Sequence, residues 1–181
     1  MTVLTEPAAI EPTKPQITEF QAVDTADKMI SESKIEKICF VCTGNTCRSP
    51  MAMALYNHLY KHKNSYAVSL GLYPCIGEPI SQNAIQALNE SGIEAVNNNR
   101  FDKHTANEVT EEKLSSCNLI IGMTQAHSFE LICRFPRIAS RIITMPEPVC
   151  DPFGGDINTY KACLVQIEKG LKELFSNENN L

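Results

Sequence analysis

The densest chemical signal in the chain is the run Cys42-Thr43-Gly44-Asn45-Thr46-Cys47-Arg48-Ser49-Pro50. An apolar segment enters it and a helical pattern leaves it. Successive backbone N–H groups in such a loop can curl into an anion-binding nest, and the dipole of the following helix adds positive potential. Those donors, together with Arg48, favour the thiolate of Cys42 at the mouth of the loop, and a thiolate is a strong nucleophile. Arg48, six residues on, can fold back and bind two equatorial oxygens of a phosphoryl group. Ser49 can donate a hydrogen bond to the sulfur. Gly44 and Asn45 are the residues best able to take the positive φ that so tight a loop requires. A bare Cys-x5-Arg spacing carries little in a chain with eight cysteines. Its position between a strand and a proline-started helix is what carries the reading.

Positioning such a loop requires a particular scaffold. Lys37–Cys42 is a nearly continuous apolar run, as expected of a strand buried on both faces. Pro50 suits the first turn of the next helix, where its missing N–H costs nothing. Met51, Ala54, Leu55, His58 and Leu59 follow at helical spacing. Tyr66–Leu70 reads as a second strand, and Ile80–Ser91 as a helix closed by Gly92. Thr110–Leu114 reads as a short helix with acids in its first turn, Asn118–Met123 as a third strand, and Ala126–Cys133 as a helix. Arg141–Met145 is the fourth strand candidate, and Asp156–Phe175 a long closing helix with Ile157, Tyr160, Leu164, Ile167, Leu171 and Leu174 on one face. Strands alternating with helices predict an α/β domain: a central four-stranded parallel sheet flanked by helices on both faces. In such sheets ligands bind beyond the carboxyl ends of the strands. The loops at 43–49 and 146–155 both fall there.

Composition narrows the class. A chain of 181 residues that is 43% hydrophobic suits one domain with a proper core. Its net charge of −5 advertises neither nucleic acid nor an anionic membrane surface. Residues 1–36 carry three lysines against seven acids, so an acidic, proline-bearing extension precedes a nearly neutral body. The extension reads as disordered, with a weak helical pattern from Ile17 to Ser33. No segment has the length and apolarity of a membrane span, and the first thirty residues lack the pattern of a signal peptide. Eight scattered cysteines then fit a reduced, cytoplasmic protein better than a disulfide scaffold. Cys39, Cys42 and Cys47 could in principle hold a metal. But strand alternation points Cys39 away from Cys42, and no fourth ligand lies nearby. His127, Cys75, Cys117, Cys133, Cys150 and Cys163 fall in no pattern that assigns them a role.

The segment VCTGNTCRSPMA resembles the phosphate-binding loop of the low-molecular-weight protein phosphatases, whose nucleophile is its first cysteine. Asp151-Pro152-Phe153-Gly154-Gly155 resembles the family's late Asp-Pro loop, which supplies the general acid. The stretch from His104 through Ala106 and Val109 to Thr110 resembles the segment whose histidine supports the loop asparagine. The likeness covers about residues 37–177 and leaves 1–36 outside. One departure is Met53, where the family pattern suggests an acid; that position is expected to point away from the site.

The resemblance implies a set of roles. Cys42 attacks phosphorus, and Asp151 protonates the departing atom and then activates the hydrolytic water. Arg48 and the loop residues Thr43, Gly44, Asn45, Thr46, Cys47 and Ser49 bind the phosphoryl group. Asn45, Ser49 and His104 hold the loop's shape, and Cys47 can form a reversible disulfide with Cys42. The partner is a phosphorylated protein, and neither metal nor organic cofactor is required. Tyrosine-directed members usually carry a bulky aliphatic residue at the position of Thr46. A threonine there, with DPFGG in the acid loop, resembles the protein-arginine phosphatases of the family. Phe153 is then expected to wall the pocket against the substrate's stem. The favoured expectation is phosphoarginine hydrolysis, with phosphotyrosine the alternative. A thioredoxin-coupled arsenate reductase shares a similar loop but needs two relay cysteines near the third strand, which are not suitably spaced. A phosphate-binding pseudophosphatase is disfavoured by the presence of Cys42, Arg48 and Asp151 together. Oligomeric state is left open.

Overall fold

The computed structural model describes residues 37–61 and 64–175. The expected disordered extension at 1–36, with its helical pattern, lies outside the described residues. The chain runs through β1 (Lys37–Cys42), α1 (Arg48–Leu59), β2 (Tyr66–Gly71), α2 (Gln82–Glu90), α3 (Glu111–Ser115), β3 (Leu119–Gly122), α4 (Gln125–Arg134), β4 (Ile142–Thr144) and α5 (Ile157–Phe175). Short 3-10 turns sit at Phe101–Lys103 and Pro136–Arg141. The four strands pair in parallel in the order β2-β1-β3-β4. The chain leaves β1 toward one side of the sheet and returns on the other. The order therefore reverses at β1, which makes its carboxyl end the place where a crevice opens.

Alternation along β1 divides the core in two. Ile38, Phe40 and Cys42 pack with α1, α2 and α5 on one face. Cys39 and Val41 pack with Leu114, Ile120, Leu131 and Ile138 on the other. Cys39 is thus turned away from Cys42, as the strand period requires. On the α1 face, Tyr56 packs edge-on against Phe175 at 5.2 Å between ring centres. Burial of each such large side chain contributes about 1.5–3 kcal/mol.

Element boundaries follow local chemistry. The Gly92 φ of 76° lets α2 end with two back-bonds, Gly92 N to the Asn89 carbonyl and Ile93 N to the Leu88 carbonyl, both 3.0 Å. Thr110 caps α3 by accepting from Lys113 N. Two expectations need correction, and that for Pro50 holds. α2 begins at Gln82 rather than Ile80, because Ser81 takes the N-cap and Ile80 is buried before it. Pro50 is the third residue of α1, still within the turn whose N–H groups have no intrahelical acceptor. On α5, Ile157 and Leu174 are only partly buried, while Cys163 and Gly170 join the buried face. Gly170 does so because a Cβ there would come within 2.4 Å of Met145 Cε.

Gly122 ends β3 directly beneath α4, where an added Cβ would lie 2.8 Å from Ser128 N and 2.3 Å from its Oγ. Backbone cannot yield as a flexible side chain can. Gly122→Ala is therefore expected to cost about 2 kcal/mol, read as a lower urea midpoint with an unchanged slope. Gly44→Ala, whose Cβ would meet only Thr46 Oγ1 at 3.8 Å, should leave the midpoint nearly unmoved.

Candidate active site

The loop after β1 is built around Asn45. This residue is fully buried and holds a φ of 57°. Its N–H donates to Cys42 Sγ at 3.3 Å. Its Nδ2 donates to Ser49 Oγ and to Ser69 Oγ, each at 3.0 Å. Its Oδ1 accepts from Asn107 N at 2.9 Å, and its carbonyl accepts from His104 Nε2 at 3.0 Å. A carbonyl can only accept, so His104 carries its proton on Nε2. Burial holds His104 below the usual imidazole range. Gly44 departs from expectation: it needs no positive φ, and Asn45 alone takes the left-handed conformation within the loop.

Ser49 Oγ stands 3.0 Å from Cys42 Sγ and 3.3 Å from the Leu70 carbonyl. Because it accepts from Asn45, its single proton can go to either neighbour. A Cys42 thiol donates to Ser49, and Ser49 then donates to Leu70. A thiolate draws the serine proton to itself. The geometry serves both forms of the sulfur without rearrangement.

α1 starts with Cys47 at its N-cap, with no side-chain cap and no acid in its first turn. Its first amides are therefore left to an incoming group, toward which the helix dipole also points. Arg48, buried in the first turn, places Nη2 2.6 Å from Asp151 Oδ2. Asp151 is presented by a turn in which Phe153 N donates to Asp151 Oδ1 at 3.2 Å and Gly155 N to the Pro152 carbonyl at 2.9 Å. These groups surround a cavity of about 310 Å³. Cys42, Thr43, Gly44, Asn45, Thr46, Cys47 and Arg48 line it, with Asp151, Phe153, Tyr73, Cys75 and Glu78. Ser49 and His104 act from behind the loop rather than on the cavity wall. Met53 lies off the cavity, half-buried against the α1 face of the core, as expected. An arrangement of sulfur, buried guanidinium and uncapped helix amides can bind a tetrahedral oxyanion and attack it, with a carboxyl on the leaving side.

Several supports were not visible in the sequence. The Thr46 carbonyl accepts from Ser81 N at 2.9 Å. Cys47 Sγ lies 3.2 Å from Tyr160 OH, which accepts from Ser81 Oγ at 3.0 Å. Burial raises the Cys47 thiol above its ordinary range and pushes the Tyr160 phenol up to about 12. Cys47 is thus held neutral, and both it and Cys42 are free thiols. His127, which no spacing picks out, is buried with Nε2 3.0 Å from Thr43 Oγ1 and Nδ1 2.8 Å from Thr124 Oγ1. It ties the first loop residue to the start of α4. Among the described residues no group of three or more His, Cys, Asp or Glu is placed to hold a metal ion, and no helix is long and apolar enough to cross a membrane.

Burial, reinforced by the nearby Arg48 charge, lowers His127 to about 4. The unfolded chain binds that proton at an ordinary value of about 6.5, so it holds more protons than the folded chain between the two values. Stability is therefore undiminished above pH ~6.5 and declines as pH falls toward ~4, by up to about 3 kcal/mol from this group. His127→Gln should flatten the decline measured by urea unfolding between pH 6.5 and 5. An unchanged slope would show that the histidine takes up its proton without disturbing the fold.

Comparison with known proteins agrees with this geometry. Residues 37–180 match the family model described as low molecular weight phosphotyrosine protein phosphatase. The chain is 35% identical over 146 residues to a protein-arginine-phosphatase of Bacillus subtilis (strain 168), covering 76% of this chain and 93% of that one. It is 31% identical over 137 residues to the low molecular weight protein-tyrosine-phosphatase PtpB of Staphylococcus haemolyticus, covering 72% and 91%. The crystal structure of a YwlE mutant from Bacillus subtilis superposes with a TM-score of 0.71 at 30% identity, covering 80% of this chain and 99% of that one. A parallel four-stranded sheet, a thiol-bearing loop at its switch point and a family match over nearly all of the described residues lead to one assignment: the chain belongs to the low molecular weight phosphotyrosine protein phosphatase family, the cysteine-based protein phosphatases.

Proposed function

We propose that the protein hydrolyses phosphoarginine in proteins through a cysteinyl-phosphate. The observation that carries the reading is the meeting of Cys42, Arg48 and Asp151 at one cavity whose wall includes Thr46. Incoming phosphoryl oxygens engage the Arg48 fork and the first amides of α1. The Asp151 carboxyl, released from Arg48, then faces the leaving atom. The Cys42 sulfur forms a bond to phosphorus as the phosphorus–nitrogen bond breaks, and Asp151 delivers its proton to the departing guanidine nitrogen. In the second step Asp151 takes a proton from water, whose oxygen attacks phosphorus and expels the Cys42 thiolate. Inorganic phosphate is the product.

Thr46 supports the arginine reading. Its short side chain places a hydroxyl, 3.6 Å from Cys47 Sγ, where a branched aliphatic group would pack against a ring. Relatives at 35% and 34% identity carry the name protein-arginine-phosphatase. One observation favours a second reading, phosphotyrosine hydrolysis: exposed aromatic rings of Tyr73 and Phe153 stand on the cavity wall and could flank a phenol.

Initial rates on peptides bearing phosphoarginine or phosphotyrosine, in reducing buffer without added metal, separate the two. Wild type should prefer phosphoarginine, and Thr46→Ile should move the ratio toward phosphotyrosine by about tenfold or more. A wild type preferring phosphotyrosine would overturn the substrate assignment. Cys42→Ser should abolish turnover on both, and Asp151→Asn should lower kcat by about 10²–10⁴ while leaving phosphate binding in place. Substantial turnover by the serine variant would sink the covalent mechanism.

A further inference from the structure

We infer that Glu78 is a specificity-determining residue of this site, its carboxylate facing the protonated guanidinium of the substrate; the inference rests on the phosphoarginine reading. Glu78 lines the same cavity as Cys42, Arg48 and Asp151. Its backbone is fixed from both sides. Gly77, at φ 85°, donates its N–H to the Ala106 carbonyl at 2.9 Å. The Ala106 N–H in turn donates to the Glu78 carbonyl at 2.7 Å. Pro79 bridges to Thr105, and Ile80 N donates to the His104 carbonyl at 3.2 Å. The residue that braces Asn45 therefore also belongs to the strand-like edge that presents Glu78.

The side chain is treated differently from the backbone. Among the described residues the Glu78 carboxylate has no hydrogen-bond or ion-pair partner. Its neighbours on or near the mouth do. Asp151 is paired with Arg48, Glu130 with Tyr73 and Arg134, and Glu108 with Arg134. An unpaired carboxylate carried on a fixed backbone at the wall of this cavity is placed to meet a positive group brought by the substrate's leaving side. A phosphorylated phenol adds two negative charges and nothing positive. A phosphorylated guanidinium adds two negative charges and one positive charge, located on the leaving-group side. Glu78 is exposed at the mouth, so its effect on the leaving group is of the modest size expected for a solvent-screened pair. Glu78 thus fits a substrate whose leaving group is cationic and has nothing to pair with in one whose leaving group is neutral.

The test is the ratio of kcat/KM on a phosphoarginine peptide to that on a phosphotyrosine peptide of the same flanking sequence. Glu78→Gln should lower the ratio about fivefold to tenfold, Glu78→Lys should lower it further, and Glu78→Asp should restore most of it. Glu94→Gln, which removes an acid that does not line the cavity, should leave it unchanged. The inhibition constant of inorganic phosphate supplies the second readout. It should move less than twofold in Glu78→Gln, because phosphate lacks the leaving group that Glu78 faces. If phosphate inhibition tightens as much as the phosphotyrosine rate rises, Glu78 merely repels anions and the inference is overturned. A wild type that prefers phosphoarginine with a ratio unmoved in Glu78→Gln overturns the Glu78 assignment alone. A wild type that prefers phosphotyrosine overturns the substrate reading itself, whatever the variants do.

Discussion

Everything at this site depends on holding one buried asparagine in a backbone conformation that side chains disfavour. The φ of 57° at Asn45 turns the chain sharply after β1. Without it Cys42 and the first turn of α1 would not face the same cavity. Such a conformation costs on the order of 1 kcal/mol or more for a residue other than glycine, and persists only where the surroundings over-determine it. Here the surroundings are four polar groups from four places in the chain: Ser49, Ser69, His104 and Asn107. Glycine would relieve the backbone and keep the carbonyl that His104 binds, but would leave Ser49, Ser69 and the Asn107 amide without their shared partner. That trade explains why the strained position carries asparagine and the neighbouring Gly44, which needs no positive φ, lies open on the cavity wall.

The supports of the loop come from both layers of the molecule. His104, Asn107 and Ser69 secure Asn45 from the β2 side, Tyr160 on α5 secures Cys47, and His127 on α4 secures Thr43. The sheet order makes this possible, since β1 has a neighbour on each side and helices over each face. A loop at the end of an edge strand could be braced from one flank only.

The sequence makes the reactive loop and the sheet legible because both are local. A nearly continuous apolar run of six residues, a tight polar turn and a proline-marked helix are written within fourteen consecutive positions. Asp151 is legible only through family resemblance, since Asp-Pro alone is an ordinary turn. Of the bracing residues, Ser49 and His104 are legible through the same resemblance; the others are not. His127 pairs with Thr43 across 84 positions, Tyr160 with Cys47 across 113, and Ser69 with Asn45 across 24. No periodicity records such pairs; strand register and helix packing create them. Glu78 is silent in the sequence for the same reason, because an acid between glycine and proline reads as solvent-facing until the fold sets it on the cavity wall. Gly44 shows the limit of residue type: of the two loop residues best able to take positive φ, only Asn45 does so.

The 2.6 Å pair between Arg48 and Asp151 bears on the end of the catalytic cycle as much as on its beginning. A guanidinium buried beside uncapped helix amides would, if left alone, cling to the inorganic phosphate it has just helped to liberate. Asp151 supplies a rival for the same fork, tethered a few ångströms away and present at high effective concentration. In the proposed mechanism, product would thus depart by exchange with a resident carboxylate rather than by exposing a bare buried charge to water. The carboxyl proposed to close the chemistry would also clear the site, so slow turnover in its absence would reflect retention of phosphate as well as a missing proton.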